Sequence, residues 1–319
     1  MSEAAKPVIR VACGVLVNPQ DEVLLAQRPE GKIAAGYWEF PGGKIEADES
    51  TLQALTRELH EELGVTVCAA NPLIRFRHDY SNRVVVLDTW RVTAFDGVPR
   101  ACEGQALRWL AVDHFTDVAP LLPTVVPIAQ ALRQPAHYVF TPPSADTATL
   151  LAGLTCLPDQ AWLRLRLSTF ANEQYEIVAR QLIPAARVRG IKVLLDRDPV
   201  QVLALGAAGW HCTSAALMQL SQRPEVPLAV ASVHDAEQLA HASALGFDVT
   251  VLGPVLATPT HPGAAILGWQ GFSTIRGEVA LPVFAIGGLN VAALDKARAS
   301  NAQGIAGISA YWRGGSSGR

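Results

Sequence analysis

The sequence has few cysteines for its length and lacks long apolar runs. Its five cysteines are scattered and never form a Cys-x-x-Cys pair, which argues against a disulfide framework and a zinc ribbon. No run of about 18 uninterrupted apolar residues occurs, and residues 1–10 contain no apolar signal core. We therefore expect buried free thiols, a cytoplasmic location and no membrane partner.

Charge is also scarce, because charged residues make up 17% of the chain while hydrophobic residues make up 50%. This composition favours compact folding over disorder. Residues 1–136 carry a formal charge of −4 and the remainder carries +1, so neither half has the basic surface expected of a nucleic-acid binder. The 319 residues exceed the usual size of one hydrophobic core, which predicts two domains, with one large barrel as the alternative.

The pattern of residues 1–134 predicts an α+β domain. Short β-rich runs at 8–17 and 23–26 flank the turn-forming segment Asn18–Asp21 and predict a hairpin. A long helix is expected from about Ser50 to Leu63. The remaining predicted elements are strands at 73–78, 84–93 and 107–112 and a last helix at 124–133.

Residues 137–313 show short apolar runs that alternate with amphipathic segments, as expected for βα units around a parallel sheet. Eight such runs favour a closed (β/α)8 barrel, the α/β TIM barrel. An open doubly wound sheet is the alternative, but Thr141–Ser144 replaces its usual glycine-rich turn after the first strand. The predicted strands are 137–141, 162–167, 192–196, 209–213, 228–232, 249–253, 282–286 and 304–309.

The long helix carries a cluster of glutamates. Glu58, Glu61 and Glu62 are spaced i, i+3 and i+4 and share one helix face, while a separate apolar stripe is formed by Leu52, Leu55, Leu59 and Leu63. Carboxylates at this spacing repel by roughly 0.2 to 0.5 kcal/mol per pair, so a cation should offset them. Hard oxygen ligands suit Mg²⁺ or Mn²⁺. A solvated acidic helix face is the alternative.

The segment Gly43–Val65 resembles the Nudix box at every specified position, with Glu49, Arg57 and the three glutamates in place. The resemblance covers about residues 5–134 and implies the Nudix fold, a mixed sheet sandwiched by helices. It also implies that Glu58, Glu61 and Glu62 hold a metal ion and that the box positions and activates a water molecule. Arg57 is implied to orient the three glutamates. Asp48 can cap the helix and Gly64 can end it.

A closer resemblance is to MutT-type 8-oxo-dGTP diphosphatases, through Trp38–Glu46. It implies that Arg28 and Arg83 face the nucleotide, that Phe40 packs near the base, and that Gly42 offers its carbonyl to metal. The alternatives are two surface arginines and a core phenylalanine. Further implied contacts are Glu39 and Pro41 with substrate and Glu103 with metal.

One residue departs from the MutT pattern. These enzymes usually carry an Asn before the last helix that bonds the oxidised guanine, whereas this chain has Thr124. A hydroxyl cannot replace both the donor and the acceptor of an amide. Base selectivity is therefore expected to be weaker, while the reaction class is unaffected.

The order of short motifs over about 137–312 resembles thiamine phosphate synthase and TenI-like barrels. It includes Leu163–Arg166, Leu194–Arg197 and Gly209–His211. Gly287 and Gly288, with Ser309, suit the phosphate site that barrels often build after strands seven and eight, which predicts a phosphorylated small ligand. Tight turns without a ligand are the alternative.

The barrel segment also lacks residues that the synthases need. His261 stands near the usual lysine, Leu195 replaces the Asn before Asp196, and Thr213–Ala216 replaces an expected acid. Without these groups, pyrophosphate and Mg²⁺ binding would be poor. A recognisable fold therefore does not establish this activity.

The leading functional hypothesis is Mg²⁺-dependent hydrolysis of oxidised purine deoxynucleoside triphosphates, above all 8-oxo-dGTP to 8-oxo-dGMP and pyrophosphate. Such an activity would cleanse the nucleotide pool before DNA replication. The alternative is hydrolysis of a thiamine-related pyrophosphate, with the barrel binding the product. A third hypothesis makes the barrel a ligand-binding or assembly module without catalysis.

Overall fold

The computed structural model describes residues 5–258, 263 and 265–312. The chain divides into two compact units. One consists of Met1–Arg133 with Glu278–Ala280, and the other consists of Gln134–Gly277 with Leu281–Arg319. None of the helices in the described ranges has both the length and the apolar character needed to cross a membrane.

The first unit contains one mixed sheet and one antiparallel sheet. The mixed sheet has the strand order β4-β1-β6-β5, with β1 parallel to β6, and the other sheet has the order β3-β2-β7. The strands are β1 (Val8–Leu16), β2 (Val23–Gln27), β3 (Trp38–Glu39), β4 (Gly42–Lys44), β5 (Thr66–Asp79), β6 (Val84–Asp96) and β7 (Leu107–Leu110), and the α-helices are α1 (Thr51–Leu63) and α2 (Val125–Leu132).

Alternation along β1 explains the layering of this unit. Ala12 and Leu16 belong to the apolar cluster that includes α1, whereas Cys13 and Val15 belong to the cluster that includes α2. Successive side chains of a strand point to opposite faces, so the sheet lies between the two helices. The predicted α+β fold, with a mixed sheet between helices, is confirmed.

The predicted hairpin between the first two strands is wrong. Asn18 closes the turn, because its side chain accepts hydrogen bonds from the backbone N–H groups of Gln20 and Glu22. The strands then separate into different sheets, joined by a single bridge between Val17 and Val23. All nine residues of β1 pair with β6 instead, a long-range partner that turn chemistry does not predict.

Helix α1 begins with a capping box, in which Ser50 accepts from the Gln53 N–H and the Gln53 side chain accepts from the Ser50 N–H. Asp48 lies before this cap with φ of 64°, so the expectation that it caps the helix is wrong. Gly64 ends the helix in the left-handed conformation, as predicted. Leu52 is 43% exposed and does not belong to the buried stripe.

The second unit is a closed parallel barrel of eight strands, which confirms the TIM barrel and overturns the open-sheet alternative. Every predicted strand is present, with ends that differ by one or two residues. The strands are β8 (His137–Phe140), β9 (Trp162–Leu165), β10 (Lys192–Leu195), β11 (Gly209–Cys212), β12 (Ala229–Val233), β13 (Val249–Leu252), β14 (Val283–Ile286) and β15 (Gly304–Gly307). Its helices include α3 (Thr147–Gly153), α4 (Asn172–Arg187), α5 (Pro199–Ala204), α6 (Ser214–Leu217), α7 (Ala236–Ala244), α8 (Gly268–Arg276) and α9 (Leu294–Ala299).

Candidate active site and barrel cavity

A cavity of about 950 Å³ lies in the first unit, beside the turn that joins β3 to β4 and the C-terminal half of the acidic helix. It is large enough for a nucleotide-sized ligand. The sequence-predicted residues in its lining are Arg28, Glu39, Pro41, Gly42, Glu58, Glu62, Arg83, Glu103 and Thr124.

Glu58 is held at the cavity wall by Arg57 and by close approach to a glycine. Arg57 donates to Glu58 at 2.8 Å and to both carboxylate oxygens of Glu49 at 2.9 Å. A fourth hydrogen bond runs from Arg57 to the Lys44 carbonyl at 3.1 Å. A Cβ at Gly43 would lie 2.2 Å from the Glu58 carboxylate, so a side chain there would displace that carboxylate from its position. Arg57 therefore contacts Glu49, Glu58 and Glu61, and its predicted role in orienting the glutamates stays a prediction.

Glu62 lies deeper in the same wall. Its carboxylate accepts the backbone N–H of Gly42 at 3.0 Å. Burial raises its pKa to about 7 against the effect of this hydrogen bond, and the negative charges of Glu103, Glu39 and Glu58 add to the rise. A cation would relieve the repulsion that raises the pKa of Glu62 in this cavity, whose lining includes five carboxylates, those of Glu39, Glu46, Glu58, Glu62 and Glu103.

Glu61 is separated from this cavity. Its side chain is 58% exposed and its nearest cation is Arg57, 3.4 Å away. Residues follow each other by about 100° around a helix, which places Glu62 between the leucine stripe and Glu58, and Glu61 about 60° further toward solvent than Glu58. This arrangement gives no support to the metal role predicted for Glu61.

Cationic side chains stand near the other acidic residues. Arg28 forms an ion pair with Glu39 and donates to the Ile33 carbonyl, while Lys32 pairs with Glu103. Burial raises the pKa of Glu39 despite Arg28, because desolvation outweighs the attraction. The alternative of two surface arginines is not supported for Arg28, whose side chain is only 24% exposed.

An aromatic residue absent from the sequence prediction completes the cavity. Tyr80 lines it beside Arg83, whose guanidinium lies 4.8 Å from the centre of the Tyr80 ring. Burial raises the pKa of Tyr80, and a hydrogen bond with the Thr124 side chain acts in the opposite direction. Tyr80 stands three residues before Arg83 at the tip of the β5–β6 hairpin, a spacing that could have drawn attention to it.

Phe40 lies elsewhere. Its side chain is 4% exposed, packs edge-to-face against Phe115 at 5.9 Å between ring centres, and is not among the residues that line the cavity. Its neighbours Glu39 and Pro41 do line the cavity, because successive residues of an extended segment point in opposite directions. The core position given above as the alternative describes Phe40 better than the predicted base contact.

The donor chemistry of the first cavity fits a divalent cation. Glu58 and Glu62 offer hard carboxylate oxygens, and burial, with a smaller contribution from the neighbouring carboxylates, raises the pKa of Glu62. Among the described residues, no three acidic, histidine or cysteine side chains converge closely enough to form a complete protein-only metal site. The two carboxylates of Glu58 and Glu62 suit a hard divalent cation such as Mg²⁺, which usually takes one or two carboxylates and completes its shell with water and substrate phosphates.

The barrel has its own cavity of about 880 Å³ at the carboxyl ends of its strands. Gly287, Gly288 and Ser309 all line it. A Cβ at Gly288 would lie 2.3 Å from the Ala257 carbonyl oxygen, so tight backbone packing already accounts for one of these glycines. Their phosphate role stays a prediction. His261 lies outside the described residues.

Two arginines to which the sequence analysis gave no role lie in the wall of this second cavity. Arg164 and Arg166 both line it, and Arg164 donates to Asp196 at 3.0 and 3.2 Å. Asp196 itself is not among the lining residues. The pairing of β9 with β10 places Arg164 beside Leu194, two residues before Asp196.

A glycine turn and an acidic helix thus line a nucleotide-sized cavity in the first unit, and the second unit is a TIM barrel with a cavity of its own. The chain belongs to the Nudix family through residues 12–130, which match the NUDIX domain, and to the thiamine monophosphate synthase family through residues 137–311. The first unit is therefore a pyrophosphohydrolase of the MutT, 8-oxo-dGTP diphosphatase type. The predicted fusion of these two families is confirmed.

Characterised relatives exist for both units. A CTP pyrophosphohydrolase of Escherichia coli is 40% identical over 116 residues, which cover 36% of this chain and 85% of the relative. An 8-oxo-dGTP diphosphatase of Haemophilus influenzae is 34% identical over 132 residues, which cover 41% of this chain and 96% of the relative. A thiamine-phosphate synthase of Herpetosiphon aurantiacus is 32% identical over 173 residues, which cover 53% of this chain and 80% of the relative.

Proposed function

We propose that the first unit hydrolyses nucleoside triphosphates to the monophosphate and pyrophosphate with Mg²⁺, or with Mn²⁺ in its place, and that 8-oxo-dGTP is its preferred substrate. The observation that carries this proposal is the mixed lining of the cavity, which includes Glu58 and Glu62 together with Arg28, Tyr80 and Arg83. The carboxylates suit a metal that binds phosphates, and the aromatic and cationic side chains suit a base and its sugar.

Each residue has a proposed task in this reaction. Glu58 and Glu62 hold the metal, which neutralises phosphate charge and acts as a Lewis acid when bound. Arg57 positions Glu58 through the hydrogen bond at 2.8 Å and is itself fixed by Glu49. Gly42 keeps Glu62 in place by donating its backbone N–H. Glu103 is a further acid of the same wall, positioned beside Lys32.

A substrate screen of the intact protein tests this proposal. Pyrophosphate release is measured with Mg²⁺ for 8-oxo-dGTP, dGTP, CTP and thiamine-related pyrophosphates. We expect 8-oxo-dGTP to have the highest kcat/KM. Turnover of the thiamine-related compounds alone would replace this proposal with the thiamine-pathway hypothesis, which the relationship of the barrel to a thiamine-phosphate synthase supports.

CTP is the second candidate substrate, because the E. coli relative that is 40% identical is a CTP pyrophosphohydrolase. Thr124 is compatible with this candidate. Its hydroxyl is shared with Tyr80, and a single hydroxyl does not demand the donor and acceptor pair of an oxidised purine. A kcat/KM for CTP above that for 8-oxo-dGTP would make CTP the preferred substrate.

Thr124 gives a specific prediction about base selectivity. Wild type should prefer 8-oxo-dGTP over dGTP, and Thr124→Asn should widen that preference by about 1 to 3 kcal/mol, the usual value of a buried polar contact that one partner cannot satisfy. The measurement is kcat/KM for both nucleotides in both proteins. Thr124→Ser, which keeps the hydroxyl, is the control. Equal efficiencies in wild type that the Asn substitution leaves equal would contradict the role given to Thr124.

The barrel should not synthesise thiamine phosphate. The carboxylate of Asp196 is engaged by Arg164, and Thr213–Ala216 provides no acid in the place expected for one. Charge neutralisation is most of what the departure of pyrophosphate requires. Incubating the intact protein with the pyrimidine pyrophosphate and the thiazole phosphate should give no product above the uncatalysed rate. A steady enzymatic rate would show that other groups replace the missing ones.

A further inference from the structure

The cavity of the barrel contains positive charge that the described residues leave without a direct partner. Arg166 follows β9 and lines the cavity, and its backbone is fixed by the N–H bond to Thr141 at 2.8 Å. Within the described residues, its guanidinium makes no hydrogen bond or salt bridge. Burial and the neighbouring charge of Arg164 lower the pKa of Arg166. An anion in the cavity would relieve both effects.

The Mg²⁺ that the synthase family uses does not fit beside this arginine. One carboxylate oxygen of Asp196 accepts from Arg164 at 3.0 and 3.2 Å, and the other accepts from the Tyr175 hydroxyl at 3.3 Å. The Arg164 and Asp196 side chains are only 9% and 11% exposed. A metal ion would have to displace a buried cation from its partner, which is costly because it leaves the arginine unpaired. Arg164 therefore occupies the electrostatic position that a metal would need.

A second polar group is aimed at the same cavity through a buried relay. The Tyr138 hydroxyl lies 2.7 Å from His211 Nδ1, and His211 Nε2 lies 2.8 Å from the Ser232 hydroxyl. In the tautomer in which Nδ1 accepts from the Tyr138 hydroxyl, Nε2 carries the proton and donates to Ser232. The hydroxyl hydrogen of Ser232, which lines the cavity, is then free to point at a ligand.

The relay also keeps its histidine uncharged. His211 is fully buried, and burial together with the charges of Arg164 and Arg166 lowers its pKa well below the usual value. A neutral His211 keeps one proton and one lone pair, which the two hydroxyl neighbours require. The relay therefore delivers a hydroxyl donor to the cavity and adds no positive charge of its own.

We propose that Asp196 of this barrel does not hold a divalent metal, so that the anionic group of a ligand in the cavity meets Arg166 and Ser232 directly. Arg164 replaces the metal by neutralising Asp196. The apolar side chains Val251, Ile286 and Leu289 line the remainder of the cavity and accommodate an organic body. This site is separate from the hydrolase site and does not depend on its proposed substrate.

The test uses inorganic phosphate as the probe and the full chain with EDTA, followed by isothermal titration and by ³¹P NMR. We expect saturable binding that added Mg²⁺ does not tighten. Arg166→Gln should weaken it about 10- to 100-fold, as expected for loss of a charge-assisted hydrogen bond. Ser232→Ala should weaken it about 3- to 10-fold, the usual effect of one neutral hydrogen bond. Arg180→Gln removes an exposed arginine of α4 and should change nothing.

A second set of variants locates the binding and tests the role of Arg164. The double variant Arg28→Gln, Arg83→Gln alters the other cavity and should bind phosphate as wild type does. In Arg164→Gln the carboxylate of Asp196 loses its cation, so phosphate binding should weaken with EDTA and become stimulated by Mg²⁺. Thermal unfolding of every variant verifies that the protein is folded.

Three results would overturn the proposal. They are no saturable phosphate binding with EDTA, unchanged binding in Arg166→Gln, and loss of binding in the Arg28, Arg83 double variant. If Arg164→Gln does not fold, Arg166→Gln and Ser232→Ala still decide the outcome. Wild-type binding that requires Mg²⁺ would show that a metal reaches Asp196 despite Arg164.

Discussion

Glu58→Gln and Glu62→Gln should each reduce pyrophosphate release by at least about 100-fold while the protein stays folded. Loss of a group that only supports a metal ligand commonly costs about 10- to 100-fold, so loss of the anionic ligand itself should cost more. Both side chains line the cavity, whereas the leucines of α1 that anchor the helix are untouched. Turnover and thermal unfolding are measured on the same preparations.

The two substitutions should differ in stability. Without metal, the pKa of Glu62 in the folded protein is raised to about 7 from an ordinary value near 4.5. Its ionisation therefore weakens the folded state progressively as pH rises above the unfolded pKa and through about 7. Gln removes that penalty, so Glu62→Gln should unfold at the same or a higher temperature above pH 7. Glu58→Gln loses one ion pair with Arg57, a partly exposed contact worth about 1 kcal/mol or less.

Glu61→Gln is the matched control, because Glu61 belongs to the same helix and the same sequence motif. Its side chain is 58% exposed and lies outside the cavity lining, so the variant should keep most of its turnover. Equal losses in all three variants would favour the three-glutamate site predicted from sequence. Near-normal turnover in Glu58→Gln or Glu62→Gln would contradict the assignment of this helix as the catalytic one.

Local patterns were sufficient to predict much of this fold. Each barrel strand is a short apolar run, and closure of eight such runs is the standard way to bury them all. The capping of α1 was also available in the sequence, since Ser50 and Gln53 have capping-box spacing. The exposure of Glu61 could have been derived from the angle between successive helix residues and the position of Leu55, Leu59 and Leu63.

Other features depend on contacts between residues distant in sequence. The separation of β1 from β2 follows from the pairing of β1 with β6, about 75 residues further along the chain. The Arg164–Asp196 ion pair depends on the register of β9 and β10. The place of Phe40 in the core depends on the arrival of Phe115 opposite it. Rules based on local residue spacing cannot predict these contacts, because the partners are far apart in the sequence.

Substitution of the two adjacent glycines, Gly42 and Gly43, by alanine should have different effects. One substitution should lower turnover and the other should lower stability. At Gly43, a Cβ would lie 2.2 Å from the Glu58 carboxylate, which is the end of a flexible side chain. At Gly42, a Cβ would lie 2.2 Å from the Ala12 carbonyl oxygen and 2.9 Å from the Cys13 Cα, both of which are backbone atoms of β1. The backbone of Gly42 also has φ of 141°, which favours glycine.

Gly43→Ala should therefore inactivate the enzyme without unfolding it. The methyl group displaces the Glu58 carboxylate from Arg57 and from the cavity, so turnover should fall nearly as far as in Glu58→Gln. Stability should change by less than about 1 kcal/mol, because the helix and the sheet do not need to move. Gly42→Ala should instead lower the free energy of unfolding by about 1 to 3 kcal/mol, since β1 and β4 must shift apart.

Pyrophosphate release and denaturant unfolding, measured together on both variants, distinguish these two mechanisms. The double variant Gly43→Ala, Glu58→Gln is the internal control, because it should be no less active than the worse of its single variants if both act through the same carboxylate. Full turnover in Gly43→Ala would show that the Glu58 carboxylate is not required where the structure places it. A large loss of stability in Gly43→Ala would show that the turn is too rigid for the side chain to move aside.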